Sequence, residues 1–360
     1  MGEPDREALH RQLLTWYRER KRDLPFRLTK DPYAILVAEI ILQRTRMKAG
    51  VPYYERFLAA FPSVRALAAA PEADVLRAWE GLGFYRRAQN LHRAAKTIVA
   101  EFGGELPSDF DALRGLPGVG DYTAGAVGSI AFGLRVPAVD GNVARVLARV
   151  YRIEGNPSEG PARRRLRAVA ADLVPEAAPG DWNQALMELG ATVCVPRAPR
   201  CGECPVSGEC LAFAAGVQDA LPQPAAKRAV PVVHVVFAVV RRGDSVLLVR
   251  RREGLHEGLY ALPGGGVGWG ESPEESLRSH LSVLHVRPEA LEPIGAVRHT
   301  FSHLRWEGVA FRCRARGAPR GAEWIPVSQI ARVPIVPLHR RLVERAARLT
   351  SASRPVADAS

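Results

Sequence analysis

Long hydrophobic runs and cysteines are both scarce in this sequence of 360 residues. No stretch approaches the roughly 18 uncharged apolar residues of a membrane span, and the polar first residues differ from an export signal, which is basic and then apolar. We therefore expect neither a membrane-spanning helix nor secretion. Five cysteines are too few for a disulfide scaffold, and four of them lie between residues 194 and 210. Such clustering is typical of a metal site in a reducing compartment.

Lysine is also rare, since only five of the 50 basic residues are lysines and the rest are arginines. Acidic residues number 38, so the formal net charge is +12. This excess favours a polyanionic partner such as nucleic acid. A biased genomic base composition would produce the same arginine excess, and the charge alone leaves both interpretations open.

Two domains are expected from the length, at roughly 150 residues per domain, and from a change of pattern along the chain. Residues 1–220 show apolar positions at helical spacing, which predicts an all-α domain with helices of roughly 10 to 18 residues. A linker rich in proline, alanine and basic residues follows at 221–231. Residues 232–348 read as strands with one helix near 271–283, which predicts an α+β domain, and 349–360 predict a disordered tail.

Four cysteines with the spacing C-x6-C-x2-C-x5-C form a candidate metal site. They are Cys194, Cys201, Cys204 and Cys210. Thiolates this close in sequence can enclose a 4Fe-4S cluster or a tetrahedral zinc ion. The fifth cysteine, Cys313, stands alone in a strand-like segment and is interpreted as a buried apolar side chain.

A glycine-rich turn at Gly118, Val119 and Gly120 separates two helix-like segments. Glycine permits close backbone approach, and the amides that open the following helix can bind a phosphate. The turn is therefore either a DNA-backbone site or merely a tight corner.

Two carboxylates occupy positions that need an explanation. Glu39 lies in the apolar run AEIIL, where burial would raise the pKa of its carboxyl group and leave it able to hold a proton. Asp140 opens a helix-like segment, where either it or Asn142 could be the N-cap.

Six segments carry a resemblance along some 200 residues. They are WYRERKRDLPFR (16–27), DPYAILVAEIILQRT (31–45), WEGLGFYRRAQNL (79–91), LPGVGDYTAGAV (116–127), VDGNVARV (139–146) and WNQALMELGATVC (182–194). With the cysteine loop, they resemble the MutY family of adenine DNA glycosylases, which belongs to the helix-hairpin-helix superfamily of endonuclease III. The resemblance implies an all-α helix-hairpin-helix domain whose four cysteines hold a 4Fe-4S cluster.

The resemblance also implies catalytic roles. Glu39 would protonate adenine N7, while ionised Asp140, with Asn142 beside it, would stabilise the oxocarbenium charge at C1′. Tyr122 resembles the tyrosine that assists at the sugar, although a core aromatic is the alternative. Bifunctional relatives carry a Schiff-base lysine there, and a tyrosine cannot form that imine, so we expect a monofunctional enzyme.

Further residues match positions that contact the base or the mispair in this family. They are Arg22, Leu24, Arg27, Gln43, Arg44, Thr45, Leu82, Phe84, Gln184 and Glu188. Surface ion pairing explains Arg22 and Arg27 equally well. Three residues depart from the family pattern: Arg44 replaces a glutamine, Phe26 a tryptophan and Phe84 a tyrosine. These changes leave the choice of opposite base open, and with it a relative that removes thymine from T·G mispairs.

The second domain resembles a degenerate Nudix domain over residues 258–286. Gly265 and Glu271 fit the Nudix box, but Ser279-His280 and Val283-Leu284 replace its metal-binding residues. Without those carboxylates Mg²⁺ has almost no ligands, so nucleotide hydrolysis is not expected. In the MutY family such a domain reads 8-oxoguanine, and Phe301, Ser302 and His303 are similar to the loop that contacts the lesion. A plain hairpin turn is the alternative for this loop.

Together these features predict a base-excision enzyme that hydrolyses adenine from A·8-oxoguanine or A·G pairs in double-stranded DNA. We expect an intracellular monomer, cytoplasmic and associated with the nucleoid in a bacterium, with no membrane partner and with protein partners that the sequence does not identify. The alternatives are the thymine glycosylase, a Nudix pyrophosphatase and a non-catalytic iron–sulfur DNA-binding protein.

Overall fold

The structure is a computed structural model that describes residues 2–224, 229–254, 257–301 and 303–352. By its internal contacts the chain divides into two units. The first comprises Met1–Ala70 and Asn90–Lys227, and the second comprises Pro71–Gln89 and Arg228–Ser360. The short segment Pro71–Gln89 thus groups with the C-terminal part of the chain, although the sequence led us to include it in the helical domain 1–220.

Helices account for the regular structure up to residue 214. In chain order they are α1 (Arg6–Arg20), α2 (Pro32–Leu42), α3 (Met47–Ala60), α4 (Val64–Ala69), α5 (Glu72–Ala78), α6 (Arg86–Glu101), α7 (Phe110–Gly115), α8 (Asp121–Phe132), α9 (Gly141–Val150), α10 (Gly160–Asp172), α11 (Pro179–Thr192) and α12 (Leu211–Ala214). The all-α prediction is confirmed. Four helices, α4, α5, α7 and α12, are shorter than the predicted 10 to 18 residues.

Aspartate side chains begin several of these helices. Asp5, Asp31, Asp109 and Asp140 each accept a hydrogen bond from a backbone N–H of the following first turn. A first-turn N–H has no partner within its own helix, so the carboxylate satisfies it and fixes where the helix starts.

A close backbone contact places the segment that leads to Asp140. A Cβ atom on Gly125 of α8 would lie 2.1 Å from the carbonyl oxygen of Pro137. Only glycine lets α8 and this segment approach so closely. The buried Asn183 amide group adds to the contact, because it donates to the Val136 carbonyl and accepts from the Ala138 N–H.

The core of the first unit includes aromatic and aliphatic side chains of α1, α9 and α11. Leu13, Tyr17, Val146, Trp182 and Leu189 are almost completely buried in one cluster. This cluster also includes Cys210 and packs against Cys194 and Cys204. Burial of such side chains is the main favourable contribution to folding.

The second unit contains a mixed sheet. Its strands are β1 (Val232–Arg242), β2 (Ser245–Arg250), β3 (Tyr260–Ala261), β4 (Gly264–Gly266), β5 (Arg287–Pro288), β6 (Glu292–Thr300), β7 (Arg305–Arg316) and β8 (Glu323–Pro326). The order β3-β2-β1-β7-β5 runs through the sheet, with β4 on β1, β6 on β7 and β8 on β2. Strands β1 and β7 are parallel, and the other pairs are antiparallel. The predicted α+β class is confirmed.

Two longer helices complete this unit, α13 (Pro273–Val283) and α14 (Pro337–Ala352). Leu277 and Leu281 of α13 pack on Val236, Ala238 and other apolar side chains of the sheet. Helix α14 includes the first four residues of the predicted disordered tail, and the remaining part, 353–360, lies outside the described residues. Across the described part of the chain, no helix is both long and apolar enough to cross a bilayer.

Candidate active site

Three helices of the first unit bring together the predicted catalytic residues. Glu39 lies near the end of α2, Tyr122 is in the first turn of α8, and Asp140 caps α9. The Tyr122 hydroxyl donates to Glu39 Oε2 over 2.5 Å and lies 3.7 Å from Met187 Sδ on α11. Because 83 residues separate Tyr122 from Glu39 in sequence, this contact depends on the packing of α2 against α8.

Glu39 is buried within an apolar helix, as its sequence context predicted. Burial raises the pKa of its carboxyl group to about 7, and the charge of Asp140 pushes in the same direction. The hydrogen bond from Tyr122 and the charge of Arg27 oppose this rise. A carboxyl with a pKa near neutrality can give up a proton in a reaction at physiological pH.

Asp140 serves as the N-cap of α9. Its Oδ1 accepts from the Val143 N–H at 2.7 Å, and its Oδ2 accepts from the Asn142 side chain at 3.0 Å. Burial raises the pKa of Asp140, while these hydrogen bonds and the charge of Arg145 lower it. The net result is a raised pKa, as at Glu39, but the hydrogen bonds from Asn142 and Val143 favour the ionised form of Asp140 and limit the rise.

Two arginines that precede α2 form ion pairs with a buried glutamate of α11. Glu188 on α11 accepts from Arg22 Nε at 2.6 Å, Arg22 Nη2 at 2.8 Å and Arg27 Nη2 at 2.6 Å. Burial alone would raise the pKa of Glu188, but the hydrogen bonds and charges of the two arginines lower it to about 2. The arginines therefore form ion pairs, with Arg27 and Glu188 buried and Arg22 partly exposed.

Leu24, Gln184 and Gln43 are held within the first unit by burial or by side-chain hydrogen bonds. Leu24 is buried before the short 3₁₀ turn Pro25–Arg27, and Gln184 is buried on α11, where its side chain donates to the Gly180 carbonyl. Gln43 donates to Thr123 Oγ1 on α8 at 3.2 Å.

Arg44 and Thr45 follow α2 in a turn. Arg44 has a φ of 56°, a left-handed conformation that is uncommon for residues other than glycine, and it is exposed. The Thr45 hydroxyl lies 3.4 Å from the Gln43 carbonyl. Arg44 therefore lies on the exposed turn directly after the helix that carries Glu39.

The turn between α7 and α8 has the conformation expected from its glycines. Gly118 has a φ of 80°, and a Cβ there would lie 2.5 Å from Asn90 Cβ. Val119 is buried, and Gly120 is the N-cap of α8 without a side chain to satisfy the first amides. These amides remain available for an external acceptor such as a phosphate.

The four predicted metal ligands lie together. Cys194, Cys201, Cys204 and Cys210 line one cavity, with Arg149 and apolar side chains on its other sides. The buried Arg149 donates to Cys194 Sγ at 3.3 Å and to the carbonyls of Val195 and Pro196. Four soft sulfur donors beside a buried cation fit a group whose ligands are thiolates. Within the described residues, no three His, Cys, Asp or Glu side chains are arranged to hold a single metal ion.

An arginine-walled cleft opens beside Tyr122 and Asp140. Its volume is about 640 Å³, within the range of ligand-binding pockets. Its charged lining residues are Arg114, Asp121, Asp140, Arg163 and Arg167, and Glu39 is not among them.

The remaining predicted residues belong to the second unit. Leu82 and Phe84 follow α5, and Phe84 is about half exposed with a φ of 48°. The Phe301 ring packs edge-on against Trp306 and His299, with centroids 4.9 and 4.4 Å away, and His303 is exposed. Ser302 lies outside the described residues.

The degenerate Nudix segment uses its polar residues for local structure. Glu275 and Ser272 form a capping box at the start of α13, and Glu271 accepts from the Ser276 hydroxyl. His280, which replaces a carboxylate of the Nudix box, contacts the Gly266 carbonyl at 2.9 Å through Nε2.

Comparisons with known proteins match two families along the chain. The HhH-GPD superfamily of base excision DNA repair proteins matches residues 37–171, and the NUDIX domain family matches residues 235–345. The adenine DNA glycosylase of Homo sapiens is 34% identical over 386 residues, which cover 88% of this chain and 70% of the human protein. The chain belongs to the adenine DNA glycosylase family.

Other members and structures extend this result. The adenine DNA glycosylase of Mycolicibacterium smegmatis is 44% identical, covering 54% of this chain and 67% of its own length. A solved thermostable thymine-DNA glycosylase has a TM-score of 0.53 at 31% identity, covering 58% of this chain and 97% of its own. An endonuclease III–DNA complex, at a TM-score of 0.50 and 20% identity, shares the fold over 59% of this chain and 99% of its own. The human adenine DNA glycosylase aligns over most of the chain, whereas these two structures align with little more than half of it.

Sequence reasoning missed several residues that contact the candidate site. Met187 contacts Tyr122, Arg145 donates to Asn142 Oδ1 at 2.8 Å, and Arg149 contacts the cysteine loop. Arg145 and Arg149 are four residues apart on α9 and therefore share a face, which is a signal that the sequence does contain.

We predict that Glu188→Gln destabilises the protein by about 3–5 kcal/mol, because it leaves the buried Arg27 charge without its carboxylate. Urea unfolding followed by circular dichroism measures this change. The matched control is Glu154→Gln, which removes an exposed partner of Arg152 and should cost less than about 1 kcal/mol. Equal effects of the two substitutions would show that the buried pairing does not stabilise the fold.

Proposed function

We propose that this chain removes adenine from A·8-oxoguanine and A·G pairs in double-stranded DNA by hydrolysing the N-glycosidic bond. The observation that carries the proposal is the buried Glu39 carboxyl, hydrogen-bonded by Tyr122, with Asp140 near enough for its charge to raise the pKa of Glu39. Membership of the adenine DNA glycosylase family supports adenine as the base.

The proposed reaction begins with a flipped adenine, whose unstacking is offset by contacts in the protein. The protonated Glu39 gives its proton to adenine N7, the C1′–N9 bond breaks, and the bonding pair leaves with the base as neutral adenine. The positive charge that develops at C1′ and O4′ lies beside ionised Asp140, which stabilises it. Water adds to C1′ and its proton passes to the Glu39 carboxylate, which leaves an abasic site and restores the acid.

The side chains around the two carboxyl groups set their protonation. The Asn142 amide and the Val143 N–H hold the Asp140 carboxylate in its ionised form by donating to it. Tyr122 holds Glu39 in place, and it has no amine to form an imine with the sugar, which supports a monofunctional enzyme without strand cleavage. The buried pair of Glu188 and Arg27 supplies polar groups suited to a base edge.

Arg44 bears on the choice between adenine and thymine. Thymine excision from T·G pairs has in its favour the structural likeness of the first unit to a thymine-DNA glycosylase and the arginine at residue 44. Adenine has in its favour the family relationship over both units, including the Nudix-like part. We therefore assign Phe301, Ser302 and His303 to recognition of the opposite 8-oxoguanine, and Leu82 and Phe84 to contacts with the mispair.

We predict that Glu39→Gln and Asp140→Asn each bind a mismatched duplex but release adenine at least 100-fold more slowly, roughly the loss of a general acid or of an electrostatic stabiliser. Single-turnover assays on A·8-oxoguanine, A·G and T·G duplexes measure release. The wild-type protein should act on the first two and leave T·G intact. Preferential release of thymine, or appreciable excision by either variant, would contradict the proposal.

We also propose that Cys194, Cys201, Cys204 and Cys210 hold a 4Fe-4S cluster. Bound there, iron–thiolate bonds would cross-link the loop 194–210 and stabilise its fold. The buried Arg149 would balance the negative charge of the thiolates. The position of all four cysteines around one cavity supports a group that all four sulfur atoms bind.

Metal analysis of the purified chain tests this assignment. We predict about four iron and four sulfide per chain, and loss of both in Cys204→Ser. Cys313→Ser is the matched control, since Cys313 is buried in β7 of the second unit and should not affect the iron content. One zinc ion per chain, or full iron in Cys204→Ser, would contradict the assignment.

A further inference from the structure

The cleft beside Asp140 and Tyr122 has a wall whose charge the reaction at Glu39 does not use. Arg114 comes from α7, and Arg163 and Arg167 come from α10. The three guanidinium groups outnumber the two carboxylates, Asp121 and Asp140, that line the same cleft, and Arg114 also pairs with Asp111 at 3.0 Å. A cleft of this charge is suited to an anionic ligand.

Two of the arginines of α10 line this cleft. Arg163 and Arg167 are one helical turn apart and therefore lie on one face. Ala162, Leu166 and Ala170 bury another face of the helix in the core. Arg164 and Arg165 lie between the two cleft arginines in sequence and are also exposed, but they are not among the residues that line the cleft. The arginine run of α10 thus divides into two pairs, one in the cleft and one outside it.

Asp121 pairs with two arginines of this wall. Its Oδ2 accepts from Arg167 Nη2, and its Oδ1 lies 3.8 Å from Arg114 Nη1. Guanidinium groups bind carboxylate and phosphate with the same planar arrangement of donors. Asp121 is also the first residue of α8, next to the amides that Gly120 leaves without a side-chain partner. The arginines are thereby held at the same end of α8 as a phosphate-binding turn.

Asp140 makes this positive charge necessary. A DNA strand whose sugar reaches Asp140 brings a phosphate on each side of that sugar, and an ionised carboxylate repels both. Arginine side chains that line the same cleft offset the repulsion at close range, where screening by salt is weakest.

We propose that the wall formed by Arg114, Arg163 and Arg167 binds the phosphodiester backbone of the DNA strand next to the nucleotide that loses its base. This inference rests on the proposed function, because it takes a DNA strand at Asp140 as the ligand. Each arginine neutralises phosphate charge and releases a condensed counterion. The affinity for DNA therefore falls as the salt concentration rises, and each of these arginines contributes to that fall.

The test measures binding of the full-length, metal-loaded protein to a duplex with a tetrahydrofuran abasic analogue opposite 8-oxoguanine. Fluorescence anisotropy at several salt concentrations gives the slope of log K against log salt. Arg163→Gln and Arg167→Gln should each weaken binding and reduce the magnitude of the slope by about 0.9, the value for one lost phosphate contact. Arg164→Gln and Arg165→Gln, on the same helix but outside the cleft, are the matched controls and should leave the slope unchanged.

Two results would overturn the inference. One is an unchanged slope in Arg163→Gln, whose exposed side chain can be replaced without disturbing the Asp121 ion pairs. The other is an equal loss in Arg164→Gln, which would show that general positive charge, rather than this cleft, attracts the DNA. The duplex has no adenine to release, so either result is independent of the excision assay that tests the proposed function.

Discussion

The whole arrangement depends on one carboxyl group that is kept out of water. Glu39 is buried among apolar residues of α2, and the Tyr122 hydroxyl donates a hydrogen bond to its carboxyl group. Burial favours the neutral form and raises the pKa to about 7, whereas an exposed glutamate would already be ionised and have no proton to give. The packing of α2 against α8 thus produces the chemistry, because it both removes the water and supplies the tyrosine.

The second carboxyl group, that of Asp140, is positioned by a helix cap. Asp140 follows a segment that approaches α8 closely at Gly125, and it then caps α9. Capping supplies hydrogen bonds that favour an ionised carboxylate, so the helix start that orients Asp140 also suits it to face a positive charge. The role as a helix cap and the role in catalysis are therefore compatible, although they first present themselves as alternatives.

Part of the site was predictable because its residues occur in uncommon sequence patterns. A glutamate in an apolar helical run, four clustered cysteines and a glycine-rich turn each stand out, and the structure buries the first, gathers the second and gives the third its left-handed Gly118. Contacts between distant residues were not predictable. Glu188 lies 166 residues from Arg22, and no local pattern indicates that a buried glutamate joins two arginines near the start of the chain.

The assignment of residues to units shows a similar limit. The helical period of 71–89 correctly indicates α5 and the start of α6, but period reports local conformation rather than the group of residues with which a helix packs. The predicted lengths of some helices were wrong for a related reason. Single capping residues such as Ser63 and Asp109 begin short helices inside longer apolar patterns.

The protonation state of Glu39 is the most direct test of the account. Infrared difference spectra between the wild-type protein and Glu39→Gln, recorded from about pH 5 to pH 9, follow the neutral carboxyl band of this one residue. The band should disappear as the pH rises through about 7, and in Tyr122→Phe it should persist to higher pH, because the hydrogen bond that lowers the pKa is gone. A Glu39 that is already ionised at about pH 5, or a midpoint that falls in Tyr122→Phe, would contradict the account.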